Sequence, residues 1–231
     1  MCDLDWTTKY GECLEPGAEP HPNLDFLRVY LITDRKLLPE KHFLQGVESA
    51  LKGGIPALQL REKDLHPAEL LALARDVRDI TQAYGAKLFI NGQAEVAEMA
   101  EADGVHLPEN GESAEEVKKS FPQLLVGVST HSQETASEAQ SQGADFITFS
   151  PIFETASKKQ YGPPQGLPQL RKIAAESNIP VLALGGVKKE NIPSVAEQGA
   201  FGIALISGIW SSPDIEEKSY QYMKFFAGEP S

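Results

Sequence analysis

The sequence has little cysteine, no long apolar run and no surplus of positive charge. Its two cysteines, Cys2 and Cys13, both fall near the start of the chain. They form neither a CxxC pair nor a zinc spacing with a histidine, so neither a disulfide scaffold nor structural zinc organises the fold. Two free thiols in a reducing compartment is the reading that remains. No apolar run reaches the ~18 residues a membrane span requires. No charged segment followed by an apolar one opens the chain as a secretory signal would. A cytoplasmic location is expected. Lys and Arg number 21 against 33 Asp and Glu, a net charge of -12. That balance argues against a nucleic-acid partner, which would draw on surplus cations. An anionic ligand therefore has to be held locally, by a few cations and backbone N–H groups. Also absent is a glycine-rich turn after the first predicted strand, where Thr33, Asp34, Arg35 and Lys36 stand. An open dinucleotide-binding sheet needs such a turn.

What is present is alternation. The 231 residues fit one domain that buries about 70% of the surface its unfolded chain exposes. Residues 1–26 are polar, contain Pro16, Pro20 and Pro22, and read as an N-terminal extension; residues 27–228 read as the domain. Eight short β-branched or apolar runs follow: Val29–Thr33, Ala57–Arg61, Lys87–Asn91, Gly104–Leu107, Leu125–Ser129, Phe146–Ser150, Val181–Leu184 and Gly202–Ile206. Stretches of helical period separate them. Residues 67–84 place an apolar stripe on one face, with Pro67 suited to a first helical turn. Residues 133–142 are followed by Gly143, a helix stop. Residues 191–198 start at an asparagine cap and end before Gly199. Strand–helix alternation means a parallel sheet with right-handed crossovers. Eight repeats favour closure, so the predicted fold is α/β, a single (β/α)8 TIM barrel.

Functional residues of such a barrel lie just past the strands. After strand 2, Gln59, Arg61 and Lys63 share one side at period two, aiming two cations at the mouth. Strand 3 ends at Asn91, whose amide is expected to point inward. Strand 4 ends at His106, with a buried structural role and a site role both open. Strand 5 runs into Ser129, Thr130 and His131. Histidine titrates near neutrality, which makes His131 the acid–base candidate. The long segment after strand 6 carries Thr155, Ser157, Lys158 and Lys159 and reads as an anion-gripping lid. Gly185 and Gly186 after strand 7, with Ser207 and Gly208 after strand 8, read as a phosphate site of backbone N–H groups.

The segments QLREK (59–63), FIN (89–91), DGVHL (103–107), GVSTH (127–131), SPIFETASKK (150–159), ALGGV (183–187) and ALISGI (204–209) occur in order. Together they resemble the thiamine phosphate synthase and TenI superfamily. The resemblance implies one of two activities. The synthases join a hydroxymethylpyrimidine diphosphate to a thiazole phosphate, releasing diphosphate with the help of Mg2+. TenI-like members instead act as thiazole tautomerases, moving a proton to aromatise a thiazole carboxylate phosphate. By resemblance, Gln59, Arg61, Lys63, Asn91 and Lys158 hold the pyrimidine and its diphosphate. Ser129, Thr155 and Ser157 match substrate-binding positions, and Gly186 and Ser207 match the thiazole phosphate site. Barrels of this family often pair, so the resemblance makes a homodimer possible, while the sequence itself leaves the oligomeric state open.

Two departures matter. Gly92 and Gly111 stand where the synthases carry the aspartates that hold magnesium. Glu109, Asn110 and Asp64 could substitute, each offset in sequence. The Asn-Gly after strand 3, the Leu-Pro after strand 4 and the segment Ser207–Ser212 resemble TenI proteins, whereas Gln59 and Lys63 are synthase-like. The expectation is a thiazole tautomerase in which His131 carries the proton and no metal or other cofactor is needed. The alternatives are a Mg2+-dependent synthase and a thiazole-phosphate-binding protein without turnover.

Overall fold

A computed structural model describes residues 24–39, 42–155 and 163–226. Cys2, Cys13, Ser157 and Lys158 lie outside the described residues. Among the described residues eight strands close into a parallel barrel in chain order. They are β1 (Val29–Ile32), β2 (Ala57–Leu60), β3 (Lys87–Asn91), β4 (Gly104–Leu107), β5 (Leu125–Thr130), β6 (Phe146–Phe149), β7 (Val181–Leu184) and β8 (Gly202–Leu205). Every boundary falls within one residue of the sequence expectation. The helices are α1 (Phe43–Lys52), α2 (Pro67–Ala83), α3 (Ala94–Met99), α4 (Ala114–Ser120), α5 (Gln133–Ser141), α6 (Gly166–Glu176), α7 (Ile192–Ala196), α8 (Ser207–Trp210) and α9 (Ile215–Met223). None of these helices is long and apolar enough to cross a membrane.

Local signals explain the helix ends. Pro67 occupies the first turn of α2, where a missing N–H costs nothing. Ser113 and Ser132 cap α4 and α5 with their hydroxyls, each satisfying an otherwise orphaned N–H. Gly143, one residue past the cap of α5, has φ +85°, the left-handed stop that glycine adopts at least cost. Asn191 precedes α7 but does not cap it with its side chain. Its amide instead donates to the Gly186 carbonyl and its oxygen accepts from the Lys188 N–H. It ties α7 to the end of β7.

Strand alternation divides the core in two. Val29, Leu31, Leu58, Leu88, Ile90, Val105, Val126, Ile147 and Ile203 face the helices. Tyr30, Ile32, Ala57, Phe89, Phe146, Leu182 and Ala204 fill the barrel. Because both faces are covered, the strands read as continuous apolar runs. The interior is plugged by Tyr30, Phe89 and Phe146, whose rings meet edge to face at 5.4–5.5 Å between centroids, an arrangement worth about 0.5–1.5 kcal/mol per pair beyond burial. Gly127 makes this possible, since a Cβ there would lie 2.3 Å from Phe146 and 2.7 Å from His106. At the opposite end from the mouth, Asp103 accepts from Leu88 N and pairs with Arg78 and Lys87. Asp145 likewise accepts from Val126 N and pairs with Lys118. Ionised acceptors at this face stitch neighbouring strands together, as suits the stability end of a barrel.

Candidate active site

Above the aromatic plug lies a polar layer that crosses the barrel. Gln59 Nε2 donates to the Tyr30 hydroxyl at 3.3 Å, and that hydroxyl is 3.4 Å from His106 Nδ1. His106 Nε2 is 3.1 Å from Ser129 Oγ and 3.3 Å from Thr148 Oγ1. His106 is only 1% exposed. Burial, with a contribution from the Arg61 charge, depresses its pKa to about 3. The ring is therefore neutral near pH 7, with one nitrogen donating and the other accepting. Gln59 already donates to Tyr30, so the Tyr30 proton points to Nδ1 and His106 donates from Nε2. Burial also pushes the Tyr30 phenol well above its ordinary value, which keeps it a neutral donor. His106 thus has the buried structural role; it is a floor beneath the mouth.

Gln59, expected at the mouth, belongs to this floor and is 1% exposed. Arg61 and Lys63 follow the end of β2 rather than continuing the strand, so the period-two argument reaches only as far as Leu60. Arg61 is half-buried and Lys63 exposed. The Arg61 N–H donates to Thr33 Oγ1, while no ion pair engages its guanidinium among the described residues. Between them sits Glu62, which the sequence reading passed over. Its carboxylate accepts from Thr33 Oγ1 at 2.6 Å and from Arg35 N, and pairs with the Arg35 guanidinium at 3.5 Å. Burial raises its pKa against these partners. Glu62 straps the segment after β1 to the end of β2. Asn91 closes β3 on the same side as Phe89, opposite His106 in the β3–β4 register, and is half-buried at the mouth.

His131 is the first residue past β5, at the end of the strand that carries Ser129. Its side chain is 34% exposed, and its Nδ1 lies 3.0 Å from Glu109 Oε2. The other Glu109 oxygen accepts from the His131 main-chain N–H, also at 3.0 Å. Burial opposes charge on Glu109, but the Thr135 hydroxyl and the charge and N–H groups of His131 outweigh it and hold the carboxyl below the usual range. Register explains the meeting. Leu107, the last residue of β4, pairs with Val128 on β5, so the turn after β4 opens beside the end of β5, where Glu109 reaches His131. The sequence offered Glu109 as a substitute magnesium ligand. The signal for its other role was its offset past β4, usable only once β4 and β5 were known to be neighbours.

The loop after β6 is anchored where it is described. Ile152 N donates to Leu184 O and Phe153 N to Gly185 O. Gly185 and Gly186 have φ +98° and +67°. A Cβ on Gly185 would lie 2.8 Å from Pro151, and one on Gly186 would lie 2.7 Å from Phe153. Their glycine identity therefore answers to the packing of this loop as well as to any ligand. Thr155 ends the described part of the loop. Beyond β8 the chain turns at once into the short helix α8, which begins at Ser207 and Gly208. Loops after strands 7 and 8 combined with the start of a short extra helix are the usual phosphate site of this fold. Trp210 fastens that helix by donating to Ile32 O at 2.7 Å and stacking on Phe43.

The residues present do not fit the magnesium site that the resemblance implies. A Cβ on Gly111 would lie 2.8 and 2.9 Å from Pro108 side-chain carbons, leaving no room for a carboxylate. Gly92 has φ +67°, which disfavours a side chain. Glu109 has both oxygens on His131, and Asp64 is paired with Arg35 and Lys36. Among the described residues no three His, Cys, Asp or Glu side chains are grouped to hold a metal ion. Mg2+ needs such hard oxygen ligands beside the substrate phosphates.

Comparison with known proteins shows which family and fold the chain resembles. The model of a family described as thiamine monophosphate synthase matches residues 29–209. A protein of Geobacter sulfurreducens named "Putative thiamine-phosphate synthase" is 47% identical over 192 residues, covering 83% of this chain and 90% of its own. The thiamine-phosphate synthase of Roseiflexus castenholzii is 38% identical over 189 residues, covering 81% of this chain and 83% of its own. The solved structure of a thiamine phosphate pyrophosphorylase from Pyrococcus furiosus superposes with a TM-score of 0.81 at 34% identity, over 88% of this chain and 96% of that one.

Proposed function

Because the chain belongs to the thiamine monophosphate synthase family, we propose that it is a thiamine-biosynthesis enzyme that binds a phosphorylated thiazole at the barrel mouth and tautomerises it by metal-independent proton transfer through His131. The observation that carries this reading is the contact of Glu109 with His131 Nδ1 at 3.0 Å. With Nδ1–H donated to a carboxylate, Nε2 keeps its lone pair for a substrate proton. His131 Nε2 takes a proton from one position of the thiazole and the imidazolium returns it at another, so charge and atoms balance and no co-reactant is consumed. Gly185, Gly186, Ser207 and Gly208 would hold the phosphate through their N–H groups. Arg61, half-buried at the mouth, supplies a cation for a second anionic group.

The names of the relatives favour a second reading, the coupling of a hydroxymethylpyrimidine diphosphate to a thiazole phosphate with release of diphosphate. In that case Arg61, Lys63, Asn91 and Ser129, with Thr155, Ser157 and Lys158, would take the pyrimidine half, above the floor to which Gln59 belongs. A thiazole tautomerase assay without divalent cations, run beside the two-substrate coupling assay with and without Mg2+, separates the two. Turnover in the first and none in the second is expected. Mg2+-dependent release of diphosphate without tautomerisation would overturn the proposal in favour of coupling. Calorimetric binding of thiazole phosphate without turnover in either assay would leave the barrel a binding protein.

A further inference from the structure

We infer that Glu109 is the positioning residue that fixes both the tautomer and the aim of His131; the role rests on the reading of His131 as the proton carrier. Three observations converge on it. One carboxylate accepts two hydrogen bonds from one residue, from its main-chain N–H and from its ring Nδ1–H, both at 3.0 Å. Neither contact would by itself orient the ring. The main-chain bond fixes where the carboxylate sits, and the ring bond then fixes which imidazole nitrogen faces it. Glu109 also has no other ion-pair partner among the described residues, so its charge is committed to His131. Finally, the base of the loop is itself held. The Thr135 hydroxyl accepts from the N–H groups of His131 and Ser132, and Ser132 caps α5. The ring is thus carried on an anchored main chain, with its own rotation as the remaining freedom.

Which imidazole nitrogen carries the proton is set by the hydrogen bond made by the other. Without Glu109 the ring is free to turn and to place a proton on Nε2, the nitrogen that must accept. The residue that fills this role stands two positions past β4, not at Gly111, where the resemblance expects a metal-binding carboxylate.

The test is the tautomeric state of His131, read by long-range nitrogen–proton NMR couplings on protein labelled with 15N-histidine, above the titration of the imidazole. His131→Ala identifies the signal. The wild type should carry its proton on Nδ1, and Glu109→Ala should shift it to Nε2. In the tautomerase assay Glu109→Ala should lower kcat about 100-fold while KM stays within about twofold. Glu109→Gln keeps one acceptor oxygen of similar reach and should fall between the two in kcat. It also serves as the deciding variant if Glu109→Ala does not fold. A wild-type proton on Nε2, or an unchanged tautomer when Glu109 is replaced, overturns the inference whatever the activity. A loss confined to KM and Tm, with kcat retained, reduces Glu109 to a loop anchor and overturns it as well. A wild-type Nδ1 proton that depends on Glu109, in a protein without tautomerase turnover, would instead defeat the proposed function and leave the positioning intact.

Discussion

Gly186 and Phe153 approach so closely that a Cβ on the glycine would stand 2.7 Å from the Cβ of the phenylalanine, with the Glu154 carbonyl at 2.9 Å. Gly186 also has φ +67°. Gly186→Ala should therefore push the loop after β6 away from β7. Backbone strain and overpacking together should cost about 1–3 kcal/mol of stability. The same shift moves the strand-7 end of the phosphate site, so the affinity for thiazole phosphate should fall about tenfold or more. Denaturant melts and calorimetry check both. Wild-type stability and affinity in the alanine variant would mean that neither the loop packing nor the phosphate site depends on this glycine.

His106 should make stability depend on pH in a defined window. Its pKa is about 3 in the folded chain against an ordinary 6.5. Between these values the unfolded chain binds the proton that the folded one refuses, so stability rises with pH and is lost on acidification. The slope contributed is about 1.4 kcal/mol per pH unit. His106→Gln, neutral at every pH, should be less stable at pH 7 yet show a shallower fall between pH 6.5 and 4. Parallel stability curves for the two proteins would contradict the buried neutral state.

His131→Ala should lower tautomerase turnover about 100- to 10,000-fold, the span expected for losing a positioned acid–base group. Because the side chain is 34% exposed, the fold should survive with only a modest change in Tm. Full activity in this variant would remove His131 from the mechanism.

Glu109 should add a second component to the pH dependence. Its folded pKa lies below the ordinary 4.5, so its contribution is complete above that value and is lost as pH falls through the depressed one. A Glu109→Gln protein should lack this loss, seen as a flatter Tm profile below about pH 4.5.

Gly111→Asp should destabilise rather than restore a metal site. The new Cβ would meet Pro108 at 2.8 and 2.9 Å, and relieving that contact should cost about 1–3 kcal/mol. Neither Gly111→Asp nor the double variant with Gly92→Asp should gain Mg2+-dependent coupling. Diphosphate release appearing in the double variant would mean that the Pro108 turn opens readily and that the site is closer to a synthase than its packing indicates.

The strands were legible in the sequence because their signal is local. A parallel strand covered on both faces is a short apolar run, and each of the eight is visible without knowledge of its neighbours. The same holds for the Pro67 start, the Gly143 stop and the position of His131 just past β5. What the sequence could not supply was the register between strands. The stagger of a closed barrel is a property of the whole sheet, and it decides which residues beyond adjacent strands come within reach. Register brought Glu109 to His131 and joined Gln59, Tyr30, His106 and Ser129 into one buried chain. It also made Glu62, between two cations that looked more functional, the buried acceptor for Thr33 and Arg35. The residue types were there to be read; their partners were fixed only when the barrel closed, because hydrogen bonding and charge depend on distances across the sheet that no spacing along the chain encodes.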